Sequence, residues 1–321
     1  MPSVSDRSRP TIRVGKVVAN ARLCRDHYRL SFHVGEFPKA LAGQFVHLCP
    51  ANAAGAVDSS GTCASIDWGR WAASSVTPML RRAFSIAGLR RGSSGVEVDV
   101  IYRVVGAGTR WLETLQPGNE ASALGPLGNR FPISETKRHA WLVAGGVGLP
   151  PMLWLAEALR DASKTTIAFC GAQTRDLLAL TVDAEPELPT DATRASDGAA
   201  EFSRVGARVI ISTDDGSLGF RGRVGNAMEA YHRANPVPAD DLVVYTCGPE
   251  PMMHFVAEYC TQRGIECHVC VERNMACGLG TCQSCVVPVR DAADADGWSY
   301  RLCCTDGPVF GGDVVLWERQ G

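Results

Sequence analysis

The sequence has almost no net charge. Its 321 residues contain 32 Lys and Arg against 34 Asp and Glu, which gives a formal net charge of −2 at pH 7. Proteins that bind nucleic acid or an anionic membrane surface usually carry a basic excess that meets the phosphate groups. The composition therefore predicts no nucleic-acid partner.

Long apolar segments are also missing. The longest apolar run, residues 140–156, is broken by glycines and by the pair Pro150-Pro151. It is shorter than the roughly 20 residues that cross a bilayer, so no membrane span is predicted. The first residues lack the apolar core of a signal peptide, and a reducing compartment suits metal-bound thiols. We expect a cytoplasmic protein.

No hydrolytic constellation of Ser, His and Asp stands out, and the seven histidines are spread singly along the chain. We therefore predict no catalytic side chain in the usual sense. That expectation suits an electron-transfer protein, in which cofactors carry the chemistry and the protein supplies orientation and electrostatics.

Cysteine, in contrast, is abundant, with thirteen residues. Cys277, Cys282 and Cys285 follow C-x4-C-x2-C spacing, and a fourth thiol comes from a separate segment. This is the plant-type ferredoxin pattern, in which four thiolates hold a 2Fe–2S cluster. Gly278 and Gly280 let the backbone approach the cluster closely. A structural zinc site is the alternative, but such sites usually use two C-x2-C knuckles.

Two adjacent cysteines, Cys303 and Cys304, compete for the place of fourth ligand. They lie where a predicted strand enters a turn, and neighbouring strand side chains face opposite ways, so only one should face the cluster. Spacing does not decide between them. Cys267 and Cys270 lie three apart in another predicted strand and should point to opposite faces, as small packed hydrophobes.

The length exceeds that of one compact core and suits several domains. After a disordered lead at 1–10, residues 11–135 show short β-type runs without helices, which predicts an antiparallel barrel interrupted by a long surface loop at 51–78. Residues 136–264 alternate strands with helices, which predicts a parallel α/β sheet with helices on both faces and a polar insertion at 190–204. Residues 265–321 form the predicted cluster domain.

Within the α/β region, buried strands are predicted at 165–170, 205–211 and 241–246. Helices are predicted from Pro150 to about residue 160, at 224–233 and at 251–263. No internal repeat is visible.

Two motifs of the predicted barrel indicate a flavin nucleotide. In Arg81-Arg82-Ala83-Phe84-Ser85 an Arg fork can pair with a pyrophosphate. In Gly106-Ala-Gly108-Thr109 glycines run into a helix start, which makes a phosphate nest. Each motif alone has a plainer interpretation, a solvated strand face or an N-capped helix. Together they favour the flavin.

Two strand–turn–helix motifs of the predicted α/β domain indicate a nicotinamide nucleotide. Gly145-Gly146-Val-Gly148 departs from the G-x-G-x-x-G fingerprint but still places backbone N–H groups at a helix start. Cys247-Gly248-Pro249 makes the same turn after another strand. Open parallel sheets bind ligands at such strand ends. The acidic pair Asp214-Asp215 predicts NADH rather than NADPH. Arg175 and Arg221 could reach the same site, where they would favour NADPH.

These motifs, in this order, resemble the ferredoxin–NADP reductase superfamily and, more narrowly, the electron-transfer subunits of B-type dihydroorotate dehydrogenase. The matching stretches are Leu80-Arg-Arg-Ala-Phe-Ser-Ile, Gly125-Pro-Leu-Gly-Asn-Arg-Phe, Thr213-Asp-Asp-Gly-Ser-Leu-Gly-Phe, the run from Met275 to Val287, and Cys304-Thr-Asp-Gly-Pro-Val-Phe. The resemblance covers nearly the whole chain and implies electron flow from NADH through FAD and a 2Fe–2S cluster.

The resemblance also implies site residues. FAD would be bound by Arg82, Ala83, Phe84, Ser85, Ile101, Tyr102, Arg103, Gly108 and Thr109. The NADH crevice would be lined by Gly145, Gly146, Gly148, Cys247, Gly248 and Pro249. The cluster ligands would be Cys277, Cys282, Cys285 and Cys304.

The implied partner is an FMN-containing dihydroorotate dehydrogenase catalytic subunit in a heterotetramer of pyrimidine biosynthesis, because no stretch of this chain remains for a TIM barrel of about 250 residues. One alternative is a reductase subunit of a transhydrogenase, hydrogenase or sulfide-linked complex. Another is a zinc-stapled interaction subunit without redox cofactors.

Overall fold

The computed structural model describes residues 9–51, 80–182 and 188–319. These residues form a closed six-stranded barrel, a seven-stranded sheet and a two-stranded hairpin. Residues 52–78 of the predicted loop at 51–78 and most of the predicted lead lie outside the described residues. None of the helices in the described ranges is long and apolar enough to cross a bilayer.

The predicted antiparallel barrel is confirmed. Its strands are β1 (Thr11–Cys24), β2 (His27–Val34), β3 (Phe45–Pro50), β4 (Arg82–Gly92), β5 (Gly95–Arg103) and β6 (Glu120–Leu127). Their order is β1-β2-β5-β4-β3-β6, and β1 closes the barrel against β6. Helix α1 (Ala107–Glu113) connects β5 to β6. Alternate strand residues such as Phe32, Val46 and Val98 fill the interior, as the two-residue side-chain period requires.

The predicted parallel sheet is confirmed as well. It contains β7 (His139–Gly145), β8 (Thr165–Ala172), β9 (Arg208–Thr213), β10 (Phe220–Arg221), β11 (Leu242–Cys247), β12 (Glu266–Cys270) and β15 (Val309–Gly311). The order is β10-β9-β8-β7-β11-β12-β15, and only β15 runs antiparallel to its neighbour. Because β12 belongs to this sheet, the sheet continues across the predicted domain boundary at residue 264.

Helices cover both faces of the sheet. Helix α2 (Leu149–Asp161) has Pro150 and Pro151 in its first turn, and it packs between the sheet and barrel strand β4. Helix α3 (Ala200–Ser203) is a single short turn. Helices α4 (Val224–Ala234) and α5 (Glu250–Thr261) pack on the face opposite α2.

One strand start differs from its prediction. The expected strand at 205–211 begins only at Arg208, because α3 ends in a turn through Val205 and Gly206, and Gly206 has φ +71°. The segment predicted as a polar insertion packs on the sheet, with Ala192, Ala199 and Phe202 fully buried.

The cysteine-rich segment adds a hairpin of β13 (Val286–Arg290) and β14 (Trp298–Leu302). The predicted opposite orientation of Cys267 and Cys270 on β12 is confirmed. The Cys267 thiol contacts Cys260 of helix α5, and the Cys270 thiol contacts Cys247 of β11. Both are buried and act as core side chains.

A hydrogen-bonded contact joins the barrel to the segment before β15. Asn129 donates from Nδ2 to the carbonyls of Asp306 and Val309, both at 2.8 Å, and its Oδ1 accepts from Val309 N at 2.9 Å. Its backbone N–H donates to Gly307 O. A Cβ on Gly128 would lie 2.6 Å from Pro308 Cδ, so glycine is required for this approach. Two stretches far apart in sequence are therefore contact partners.

We predict that Asn129→Ala loosens this contact. Three side-chain hydrogen bonds are lost, and at about 1 kcal/mol each the chain should lose about 2–4 kcal/mol of unfolding free energy. Denaturant melts of the isolated chain measure the loss. Asn119→Ala is the control, because Asn119 Oδ1 accepts only from Gln116 N of its own turn. Equal destabilisation by the two variants would contradict the assignment.

Candidate functional site

The cysteine loop, residues 277–285, packs against the outer face of the barrel. Gly278 and Gly280 both have positive φ, +73° and +84°, which a residue with a side chain rarely adopts. A Cβ on Gly278 would lie 2.8 Å from His47 Cε1, and one on Gly280 would lie 3.0 Å from Thr305 Cγ2. As the sequence pattern predicts, the two glycines allow a close approach of the backbone, and Gly278 brings the loop against strand β3.

The thiols of the loop attract hydrogen-bond donors. Cys277 Sγ accepts from the backbone N–H groups of Leu279 at 3.3 Å and Cys282 at 3.4 Å. Cys282 Sγ lies 3.2 Å from Ser284 Oγ. The hydrogen bond with Ser284, followed by the contacts with Cys277, lowers the pKa of Cys282 to about 6. Donors aimed at sulfur favour the thiolate, which is the form that ligates iron.

The four predicted ligands come together as two pairs. Cys282 lies beside Cys277, and the Cys304 N–H donates to Cys285 Sγ at 3.4 Å. Among the described residues, no group of three or more His, Cys, Asp or Glu side chains converges on a single point. Two neighbouring pairs of thiols suit a binuclear cluster, which is held by four thiolates.

The two adjacent cysteines face different ways, as predicted, but they lie in the turn that follows β14 (Trp298–Leu302) rather than in a strand. Cys303 is fully buried, and its thiol donates to the carbonyl of Val271 at 3.2 Å, away from the loop. The Cys304 thiol lies beside Cys285 and Cys277. Burial raises the pKa of Cys304 to about 12, so metal must displace its proton. The geometry favours Cys304 as the fourth ligand.

The donor set and the fold of the loop therefore fit a 2Fe–2S cluster. Four thiols lie in two neighbouring pairs, backbone N–H groups donate to Cys277 and Cys285, and Gly278 and Gly280 leave the loop without side-chain bulk. The outer face of β3 and β6, with Phe45, Leu124 and Leu127, shares one apolar cluster with Cys285 and Cys304. That packing shields the thiols of Cys285 and Cys304 from water, and solvent exposure is one of the factors that set a cluster's potential.

The flavin motifs meet on the barrel. The Arg82 side chain lies over Gly108, where an added Cβ would come within 3.0 Å of Arg82 Cγ. Thr109 Oγ1 accepts from the backbone N–H groups of Val105 and Gly106, at 2.9 and 3.1 Å, so its hydroxyl holds the turn. Arg81 turns inward and donates to Ser122 Oγ at 2.9 Å. Of the Arg pair, only Arg82 remains exposed for a ligand.

The predicted flavin-binding residues on β5 differ in their burial and hydrogen bonding. Ile101 and Tyr102 are buried, and the Tyr102 hydroxyl donates to Asn20 Oδ1 at 3.1 Å. Arg103 is half-buried, and its Nε has no hydrogen-bond partner in the described part of the chain. Arg29 on β2 has the same feature, which the sequence patterns missed. A buried Nε–H without a partner on each of two arginines suits an anionic ligand such as a pyrophosphate.

The remaining three members of the predicted flavin set lie on β4. Ala83 pairs with His47, and Ser85 pairs with Phe45, across the β3–β4 ladder. Phe84 points to the opposite side of the strand and makes an edge contact with the Tyr102 ring, with centroids 6.2 Å apart. Ala83 and Ser85 therefore share the outer face on which the cysteine loop packs.

The two predicted nicotinamide turns, at 145–148 and 247–249, pack closely against each other at the carboxyl ends of the adjacent strands β7 and β11. A Cβ on Gly148 would lie 2.0 Å from the carbonyl oxygen of Cys247, and one on Gly248 would lie 2.7 Å from the carbonyl oxygen of Gly145. Side chains at these glycines would separate the turns. The turn Gly146–Gly148 also contacts barrel strand β5, so the crevice opens beside the flavin surface.

The last residue of the nicotinamide set, Pro249, precedes helix α5, and its Cδ would lie 3.0 Å from a Cβ on Gly145. A cleft of about 600 Å³ lies farther along the same sheet edge, after β8 and β9. Thr174, Arg175, Asp215 and Ser217 line it. Asp215 accepts from Ser217 Oγ at 2.7 Å and from Ser217 N at 3.0 Å.

Sequence reasoning also missed His47, because a single histidine in an apolar strand carries no pattern. The ring is fully buried, and burial, with a smaller contribution from nearby Arg81, lowers the pKa of His47 to about 4. It is therefore a neutral imidazole between the β4 strand and the cysteine loop.

Comparison with known proteins agrees with this arrangement. The family model described as the iron-sulfur cluster binding domain of dihydroorotate dehydrogenase B matches residues 272–316, and that of the oxidoreductase NAD-binding domain matches residues 142–258. The electron transfer subunit of dihydroorotate dehydrogenase B (NAD(+)) from Geobacillus kaustophilus is 35% identical over 76% of this chain and 83% of that protein. The same subunit from Lysinibacillus sphaericus is 32% identical over 92% and 95%.

Among solved structures, an NADH-dependent reduced ferredoxin-NADP oxidoreductase superposes with a TM-score of 0.69 at 23% identity, covering 95% of this chain and 90% of that one. At that identity the likeness concerns the fold alone.

We predict that Cys304→Ser and Cys303→Ser separate the two adjacent cysteines. Cys304→Ser should lose or destabilise the iron–sulfur centre, because it removes a thiol of the second pair. Cys303→Ser should keep the centre, since its thiol faces Val271. Iron content and the EPR signal of the reduced protein measure both. A cluster that survives Cys304→Ser but is lost in Cys303→Ser would reverse the assignment.

Proposed function

The chain belongs to the family of electron transfer subunits of dihydroorotate dehydrogenase B, and from this membership we propose that it passes electrons from NADH through FAD and a 2Fe–2S cluster to a dihydroorotate dehydrogenase catalytic subunit. The proposal rests on one observation: the predicted sites for the nicotinamide, the flavin and the cluster all lie against the same barrel. The nicotinamide turn Gly146–Gly148 contacts β5, the flavin motifs lie on β4 and α1, and the cysteine loop packs against β3.

When bound, FAD accepts a hydride and releases single electrons, and the iron–sulfur centre carries those electrons onward. The protein contributes position and charge. Arg82 and the start of α1 would hold the flavin pyrophosphate, with Arg103 as a second cation. Phe84 would line the ring system from the Arg82 side of β4, and Ala83 and Ser85 would line it from the side of the cysteine loop. Thr109 keeps the turn at Gly108 in shape.

The chain's own residues also orient the nucleotide. Gly145, Gly146 and Gly148 let the nicotinamide approach the barrel, and Cys247, Gly248 and Pro249 form the opposite wall. The cleft with Arg175 and Asp215 receives the adenosine end. Asp215 is an acceptor for ribose hydroxyls and repels a 2′-phosphate, so NADH should be preferred.

We further propose that the catalytic partner contains FMN, that the complex is a heterotetramer, and that it works in the cytoplasm in pyrimidine biosynthesis. All twelve described cysteines are free thiols, which suits a reducing compartment. Cys277, Cys282, Cys285 and Cys304 are the proposed cluster ligands.

A visible spectrum followed by nucleotide titration tests the proposal. The isolated chain should show flavin and 2Fe–2S bands, and NADH should bleach them with a higher kcat/KM than NADPH. Adding the catalytic subunit should make orotate reduction depend on NADH. Bands without coupling to that subunit would support the reductase subunit of another complex. A colourless, zinc-containing chain would refute the proposal.

We predict that Arg82→Ala weakens FAD retention while the cluster remains. Loss of a charge-assisted phosphate contact should cost about 1.5–3 kcal/mol, or roughly ten- to a hundredfold in affinity. Flavin content after dilution and gel filtration measures it. Arg110→Ala removes an equal charge from the exposed side of α1 and is the control. Unchanged flavin content in Arg82→Ala would rule out this role.

A further inference from the structure

His47 is a buried polar side chain that lacks a hydrogen-bond partner. Its exposed fraction is 0%, and neither Nδ1 nor Nε2 has a partner within the described residues. A buried imidazole left unpaired is costly, because the ring loses its hydrogen bonds to water without replacing them. Native proteins rarely keep such a group unless something that the polypeptide does not supply completes it.

The position of the ring indicates what that group is. His47 lies on β3, between Ala83 of β4 and Leu124 of β6 in the ladder register. An added Cβ on Gly278 would lie 2.8 Å from His47 Cε1 and 3.1 Å from Nδ1. The Cε1–Nδ1 edge of the ring therefore faces the cysteine loop, one residue after Cys277.

Neighbouring groups do not satisfy the ring. The Arg81 guanidinium is close, but it donates to the carbonyl oxygens of His47 and Ser122 and to Ser122 Oγ. Phe45 lies with its ring centroid 5.7 Å from that of His47, and the Leu127 side chain also contacts Gly278. Apolar walls such as these offer a water molecule too few polar partners to hold it.

We propose that His47 donates a hydrogen bond from Nδ1–H to a sulfur of the 2Fe–2S cluster and so raises the cluster's reduction potential. This inference rests on the proposed function. Hydrogen bonds to the sulfurs of iron–sulfur clusters set their potentials, and a donor stabilises the more negative, reduced form. His47 therefore adjusts the reduction potential of the cluster from β3, the strand that pairs with β4 and contacts the cysteine loop.

Three variants test the donor. His47→Leu removes it, and His47→Asn keeps an N–H near the position of Nδ1. His33→Leu is the matched control, because His33 on β2 also has an unpartnered buried ring nitrogen, but it lies against Gly95. The readout is the midpoint potential of the cluster, from EPR-monitored redox titration of the holoprotein with iron content verified.

His47→Leu should lower the ratio of reduced to oxidised cluster about tenfold at a fixed potential, which corresponds to about 59 mV for a one-electron couple. His47→Asn should recover most of that shift, and His33→Leu should leave the potential unchanged. A potential that His47→Leu leaves unchanged, with iron retained, would overturn the proposal. So would a shift confined to the flavin potential, which would place the hydrogen bond on FAD.

Pulsed EPR of the reduced wild-type protein, labelled with 15N only in histidine, tests the contact directly. Weak coupling to one histidine nitrogen is expected, and it should disappear in His47→Leu. Should His47→Leu fail to hold iron, the wild-type spectrum decides alone: no histidine coupling overturns the proposal, and strong coupling would make His47 an iron ligand instead. Absence of flavin and cluster bands from the wild-type chain would refute the proposed function itself, which keeps the two failures distinct.

Discussion

The packing of the cysteine-rich segment on the outer face of β3 and β6 is the contact on which the rest of the site depends. Phe45, Leu124 and Leu127 belong to one buried apolar cluster with Cys285 and Cys304, and Asn129 adds hydrogen bonds to the segment around the start of β15. Burial supplies most of the attraction, at about 25 cal/mol per Å² of apolar surface. The hydrogen bonds fix the register, since an unpaired group in this contact would be costly.

This contact also explains how the binding sites are distributed around the barrel. One side of the barrel faces α2 and the turn Gly146–Gly148, and the outer face of β3 and β6 faces the cysteine loop. A flavin bound to β4 is therefore flanked by the nucleotide crevice and by the cluster site.

Glycines set the close approaches at both contacts. At Gly148 a side chain would overlap the backbone of Cys247, and at Gly128 it would overlap Pro308. In each case the neighbour is backbone or a proline ring, which moves little. Gly278 permits a similar close approach, and there the neighbour is the unpartnered ring of His47.

Much of the fold was predictable from the sequence. Alternation of strands and helices gave the parallel sheet, and Pro150 and Pro151 marked the start of α2. Other elements were not predictable locally. Strand β6 reads Glu-Ala-Ser-Ala-Leu-Gly-Pro-Leu, which has little β propensity, and it forms because β1 and β3 pair with it on both sides. The late start of β9 follows from the turn at Gly206, which tertiary packing of Phe202 fixes.

The sequence by itself determined the chemistry of the site, because thiol spacing, glycine turns and strand periodicity are local properties that the chain carries in any conformation. It left open which of Cys303 and Cys304 faces the cysteine loop, and it was silent on Arg29, His47 and the bonding of Asn129. Only the tertiary structure decided these, since the direction of a side chain and the burial of a polar atom depend on elements distant along the chain, which come together through packing.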